Sequence, residues 1–264
     1  MLFIKQESEI PLKNQSGRSE NTELFTDKAQ VYEKSRPDYP ETALECIREQ
    51  CGLAPGSMVA DIGAGTGKLT AMLLAAGYAV TAVEPNAAMG EIMRTRLGQN
   101  PALRIAAAPA ERTGLEKQSV DAITVAQAFH WFDHEACQVE FARILKPGGK
   151  VALLWNTRDR DMPLTGKHGE LMRKYRTRKE PNLADPHAVY ASFFKSYEVF
   201  RFRHVQYLDE AALLALTFSR SYSPAPGAPG YAKLERAVQK LFAKHQKNGV
   251  AEYCYRTAVV VGEL

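Results

Sequence analysis

The chain has 264 residues, 45% of them apolar and 24% charged, and its 34 Lys and Arg against 30 Asp and Glu leave a net charge of +4. That length fits one large α/β domain with a modest insertion, the composition is that of an ordinary soluble globular protein, and so small an excess of base gives no ground for a nucleic-acid-binding chain. The uncharged stretches from Leu69 to Val83 and from Ser221 to Ala232 are too short for a bilayer, and the four cysteines (46, 51, 137, 254) form no C-x-x-C pair; with no secretory leader, they point to a cytoplasmic protein.

Residues 1–22 are polar and aperiodic and are expected to form a mobile arm, with a single domain over 23–264. A helix is expected around Ala29 to Tyr32. Arg36-Pro-Asp-Tyr-Pro40 then imposes an extended turn, because residues before proline avoid the helical region. A helix from Glu41 to Cys51 follows, stopped by Gly52.

The run Val59-Ala-Asp-Ile-Gly-Ala-Gly-Thr-Gly-Lys-Leu69 reads as a strand that ends in an acid and turns through three glycines into a helix. Val59 and Ile62 suit a buried strand, whereas Leu69, Met72, Leu73 and Ala76 recur at helical spacing until Gly77. Glycines at 63, 65 and 67 permit positive φ and remove side chains that would hold a ligand off the backbone. Open α/β sheets bind nucleotides at such turns.

Strands are expected near 58–62, 79–84, 103–107, 121–126 and 150–155. Between them lie helices at 67–76, 86–98 and 134–145, with Asn86 and Asp133 as caps and Lys146-Pro-Gly-Gly149 as a stop. Alternating apolar strands and helices predict a parallel sheet covered on both faces. After Trp155 the pattern changes. Residues 157–195 are basic and partly helical, Val199 to Leu208 resembles an edge strand, and Asp209 to Arg220 and Tyr231 to His245 read as helices. Tyr253 to Val261 reads as a last strand.

The dinucleotide fingerprint would place its last glycine at Lys68, which disfavours a nicotinamide dehydrogenase. Asp61 stands two residues before the first glycine, where a carboxylate can meet an ammonium group. Glu84 ends the next strand, near the spacing at which an acid reaches ribose hydroxyls. A ligand with an adenosine ribose, no pyrophosphate and a zwitterionic tail fits, and S-adenosylmethionine is such a ligand.

At these residues the chain resembles the class I S-adenosylmethionine-dependent methyltransferases. It is most similar to the small-molecule type, such as the trans-aconitate and ubiquinone/menaquinone-biosynthesis methyltransferases. The resemblance rests on Val59 to Gly67, Val83-Glu-Pro-Asn86, Ala110-Glu111, Val120 to Asp133 and Leu145 to Ala152. It implies an α/β, Rossmann-like, seven-stranded, mostly parallel sheet with an antiparallel last strand. It also implies a cofactor-binding core over 23–156 and helical substrate-cover segments at 157–195 and 209–248. S-adenosyl-L-methionine would be the cofactor and S-adenosyl-L-homocysteine the product.

The expected cofactor residues are Asp61, Gly63, Ala64, Gly65, Gly67, Glu84, Pro85, Met89, Ala110, Glu111 and Gln127. Tyr32 and Arg36 join them in a segment that the resemblance folds over the cofactor. Met89 packs either on adenine or into the core, and Glu111 is either an adenine contact or a solvated acid. The run Gln127-Ala-Phe-His-Trp-Phe-Asp133 leaves the fourth strand towards the methyl group. Its aromatics suit a sulfonium or seal the core. Phe129 and Trp131, with Tyr39 and Tyr222, are the substrate candidates. His130 is the candidate catalytic base, with an orienting or a structural role as the alternatives.

The acceptor is expected to be an oxygen or nitrogen of a small molecule. The basic run from Arg158 to Lys179 would attract an anionic one, or form a solvated face, or bind RNA with only Tyr175 as an interleaved aromatic. An RNA or protein methyltransferase and a non-catalytic S-adenosylmethionine-binding regulator are the rival readings. Gln127-Ala-Phe-His130 stands where methyltransferases of base amines resemble one another in an Asn/Asp-Pro-Pro-aromatic motif. No Pro-Cys nucleophile of cytosine C5 enzymes is present. No metal is implied, since no His/Cys/Asp cluster has ligand spacing.

Overall fold

A computed structural model describes residues 37–177, 186–220 and 222–264. The expected arm, the helix near residue 30, Tyr32, Arg36 and the end of the basic run at Arg178 and Lys179 lie outside them.

Helix α1 (Glu41–Gln50) leads into β1 (Met58–Ile62), α2 (Lys68–Ala75), β2 (Ala79–Val83), α3 (Ala87–Leu97) and β3 (Leu103–Ala106). Then come β4 (Val120–Ala126), a 3-10 turn at Phe129–Trp131, α4 (His134–Ile144) and β5 (Leu145–Arg158). The rest is α5 (Pro163–Tyr175), α6 (Pro186–Phe193), β6 (Ser196–Leu208), α7 (Glu210–Phe218), α8 (Tyr231–His245) and β7 (Ala251–Glu263).

The seven strands lie in the order β3-β2-β1-β4-β5-β7-β6. Pairing from β3 through to β5 is parallel, and β7 runs antiparallel between β5 and β6. The strand order therefore reverses between β1 and β4. Their carboxyl ends flank the crevice where open α/β sheets take ligands. The expected caps form, Asn86 accepting from the Met89 amide at 3.0 Å and Asp133 from Ala136 at 3.2 Å, and Asp209 caps α7 by accepting from Ala212 at 2.7 Å.

Three apolar clusters hold the layers. Val125, Phe129, Phe141 and Trp155 lie on one sheet face, and Ile47, Val59, Leu73 and Leu154 on the other. The third joins α5, α7 and α8 to β7 through Leu164, Leu213, Leu234, Val238, Tyr253 and Tyr255. Burying side chains such as Leu213 and Leu234 stabilises by about 1.5–3 kcal/mol each. The expected cover is thus packed onto the sheet itself.

β5 differs from the expected 150–155 strand. It begins at Leu145, with a register shift against β4 between Val120 and Ala122, and it runs on to Arg158. The extension exists because β7 is as long, pairing Thr157 with Arg256 and Arg158 with Tyr255. Among the described residues no helix is long and apolar enough to cross a membrane.

Candidate active site

The turn after β1 folds over the end of β2, because the Gly63 and Ala64 amides donate to the Val83 carbonyl at 2.8 and 3.1 Å. The three glycines serve different ends. A Cβ on Gly63 would stand 2.6 Å from the Ala128 Cβ and 3.0 Å from the Phe132 ring, so this glycine admits the loop after β4. A Cβ on Gly67 would meet Met93 of α3 at 2.8 Å. Gly65, at φ +59°, faces open space among the described residues, with only the Met89 sulfur of those residues 3.8 Å from the position of a Cβ. It is the glycine whose missing side chain leaves room for a ligand rather than for the protein.

Glu84 stands beside that opening. Its Oε2 accepts from the Gly65 amide at 2.8 Å and its Oε1 from Asn86 at 2.8 Å, so one carboxylate ties the turn to the start of α3. Burial raises its pKa, against the pull of those two amides. Pro85 beside it is exposed, and Met89 is buried.

Asp61 is fully buried and accepts from the hydroxyls of Thr70 at 2.6 Å and Thr124 at 2.9 Å, joining β1 to α2 and β4. Burial pushes its pKa up to about 6; the two threonines oppose the shift and the charge of Glu84 adds to it. Two buried carboxylates at adjacent strand ends, both shifted towards neutrality, mark a site that gains from a cation.

A stability prediction follows. A raised carboxyl pKa means the folded state holds the proton more tightly, so stability falls as pH rises from about 4 to about 6 and stays lower above. The cost at pH 7 is on the order of 3 kcal/mol. Asp61→Asn, which can still bond one threonine with its oxygen and the other with its amide, is expected to flatten that decline. Urea unfolding of both proteins at pH 4 and pH 7 checks it; equal declines would refute the assignment.

The loop after β4 opens on Gln127, a non-glycine residue at φ +59°. Such strain persists only where the surroundings impose it, and it gathers at functional sites. Here the Gln127 amide donates to the Leu154 carbonyl at 2.9 Å and its side chain reaches the Asn156 carbonyl at 3.4 Å. Phe129 is wholly buried, stacked on His134 at 4.4 Å and edge-on to Phe193 at 4.8 Å, which places it in the core. His130 is half-buried, its ring 4.5 Å from Trp131 and 5.5 Å from Trp155. Ala110 is buried, and Glu111 accepts from the Asp133 amide at 2.9 Å, fixing the far end of the loop. Tyr39 is buried in the cluster beneath α1, away from that loop's aromatics, and Tyr222 is half-buried near α5 and α7.

Other residues at the site had no role in the sequence reading. Asp38 pairs with Lys68 at the start of α2 at 2.9 Å, and its carbonyl accepts from the Asn156 side chain at 3.0 Å. Residues 37–40 thereby cross from the glycine turn to the end of β5. The only sequence signal for this was Lys68, read merely as a missing glycine.

Residues 60–153 match the model of a methyltransferase domain family. An uncharacterized methyltransferase of Mycobacterium tuberculosis is 35% identical over 232 residues, covering 84% of this chain and 88% of that protein. One from Schizosaccharomyces pombe is 36% identical over 146 residues, or 55% of this chain and 57% of that protein. Among solved structures, a putative type II methyltransferase from Anaeromyxobacter dehalogenans superposes with a TM-score of 0.61 at 24% identity, covering 86% of this chain and 97% of that one. A methyltransferase from Geobacter sulfurreducens, solved with S-adenosyl-L-homocysteine, gives 0.50 at 17% identity, covering 92% and 98%.

Proposed function

The chain belongs to the class I S-adenosylmethionine-dependent methyltransferases, and on that premise we propose that it methylates an oxygen or nitrogen of a small anionic molecule. The observation that carries the cofactor part is the space above Gly65, bounded by Glu84 and Met89, which a Cβ would begin to fill.

When bound, S-adenosylmethionine supplies a methyl group already activated on a sulfonium. The protein's task is then to position the acceptor in line and to keep water away. The free lone pairs of Glu84 take the ribose hydroxyls, and the buried negative charge of Asp61 lies behind the turn for the ammonium group. Met89 closes the adenine side. Trp131 and Phe132 present aromatic surface towards the sulfonium, and His130 orients the acceptor or takes its proton. For the acceptor, the observation is that basic residues gather at the cover. An RNA face gains no support, because the run's one aromatic, Tyr175, packs against the α5/α8 cluster with the Lys174 ammonium 5.4 Å over its ring.

Calorimetry with S-adenosyl-L-homocysteine, followed by a labelled-methyl screen over small acids, phenols and amines, tests the proposal. Saturable binding and transfer to an anionic acceptor are expected. Binding without transfer to any acceptor class would favour a regulator, and no binding would refute the reading. Glu84→Ala is expected to weaken S-adenosyl-L-homocysteine by about 1.5–3 kcal/mol, roughly 10- to 150-fold. It should also lower Tm, since the Gly65 and Asn86 amides lose their acceptor. Unchanged affinity in a folded variant would remove Glu84 from the ribose.

A further inference from the structure

Two arginines of the cover have no acid among the described residues to balance them. The Nη1 atom of Arg158, at the end of β5, and the Nε atom of Arg220, just past α7, are buried without a hydrogen-bond partner. Among the described residues neither makes an ion pair. The acids closest to Arg158 in the chain, Asp159 and Asp161, are both taken by Arg256, the first at 3.1 Å.

Both guanidinium charges act on the same two buried groups, His168 and Tyr253, and Arg220 also acts on Tyr222 and Tyr255. His168 and Tyr253 are locked as neutral groups. Thr217 donates its hydroxyl to the Leu213 carbonyl at 2.7 Å, so towards His168 Nε2, 2.9 Å away, it accepts. The imidazole proton is therefore on Nε2, and Nδ1 accepts from the Tyr253 hydroxyl at 2.8 Å. Burial, with the charges of Arg220 and Arg158 added, pushes the His168 pKa down to about 3. What Tyr253 leaves for the arginines is a phenol oxygen with its proton turned away. Neutral acceptors of this kind orient a guanidinium but do not cancel its charge.

We propose that Arg158 and Arg220 form the anion subsite for the methyl acceptor, clasping a carboxylate or phosphoryl group with Tyr222 and Tyr253 at its side. Guanidinium forks match such oxyanions bidentately. The place suits the role. Arg158 lies two residues along β5 from Asn156, on the same sheet face and about 7 Å away at strand rise, and the Asn156 carbonyl accepts from the side chain of Gln127, which opens the loop facing the methyl site. The subsite rests on the methyltransferase reading and adds to it the feature by which the acceptor is chosen. The sequence hid it by placing Arg158 in a basic run whose other described members, such as Arg173 and Arg176, are exposed.

The test uses the full chain saturated with S-adenosyl-L-homocysteine and, as probes, benzoate, inorganic phosphate and neutral benzamide, followed by calorimetry. Benzoate or phosphate should bind and benzamide should not, and whichever anion binds more tightly identifies the group. Arg158→Gln and Arg220→Gln should each weaken that anion by about tenfold or more. Arg220→Lys, which keeps the charge but loses the fork, should recover part of it, and Arg173→Gln with Arg176→Gln should change it less than about twofold. S-adenosyl-L-homocysteine affinity should stay at the wild-type value in all of them. Anion affinity that survives both Gln variants, or equal binding of benzamide, would overturn the subsite while leaving the methyltransferase reading intact. A wild-type chain that does not bind S-adenosyl-L-homocysteine would instead refute that underlying reading.

Discussion

Gly65→Val is expected to abolish S-adenosyl-L-homocysteine binding while leaving a folded chain. At φ +59° a β-branched residue is strongly disfavoured, and its methyl groups would enter the space next to Met89. The loss should exceed about a hundredfold in Kd. Gly65→Ala separates the two causes. It costs on the order of 1–2 kcal/mol of stability for the left-handed backbone, and its lone methyl, 3.8 Å from the Met89 sulfur, meets no clash within the protein. Gly63→Ala should behave in the opposite way, because its methyl would stand 2.6 Å from the Ala128 Cβ and force the whole loop after β4 to move. Tm and calorimetry on the three variants check this. Wild-type affinity in Gly65→Val would place the cofactor elsewhere.

His130→Ala separates chemistry from architecture. If the ring takes the acceptor's proton, kcat should fall by about 10²–10⁴ with cofactor affinity unchanged, and the loss should shrink at high pH for an acceptor that ionises unaided. If it orients the acceptor, KM should rise as well and the pH profile should keep its shape. If it serves as packing between Trp131 and Trp155, Tm and cofactor affinity should fall together. We expect the second pattern, since the ring already lies against two indoles at the mouth of β4. Wild-type kcat, KM and Tm would remove His130 from the site.

Both predictions concern residues that stood out in the sequence before any coordinates. Three glycines after an apolar strand and a histidine within aromatics are local patterns, and local patterns are what a chain displays directly. The duties of single residues were less legible. Glycines spaced two apart look equivalent in sequence, yet the structure gives Gly63 to the β4 loop, Gly67 to Met93 and Gly65 to the open space. Phe129 and Trp131, two residues apart in one aromatic run, separate into a wholly buried core ring and a half-buried one beside His130.

Strand and helix periods of 2 and 3.6 residues, with the capping side chains of Asn86, Asp133 and Asp209, were enough to determine the alternation of elements and the place of the glycine turn. These depend on neighbours a few residues away. The tertiary structure alone decided which distant groups satisfy one another. Asp61 takes the hydroxyls of Thr70 and Thr124, β7 draws β5 out to Arg158, and His168 is held between Tyr253 and Thr217. Such partnerships follow from burial: once the layers close, each polar group removed from water must use whatever donor or acceptor the packing brings to it, and no short-range pattern records which one that is.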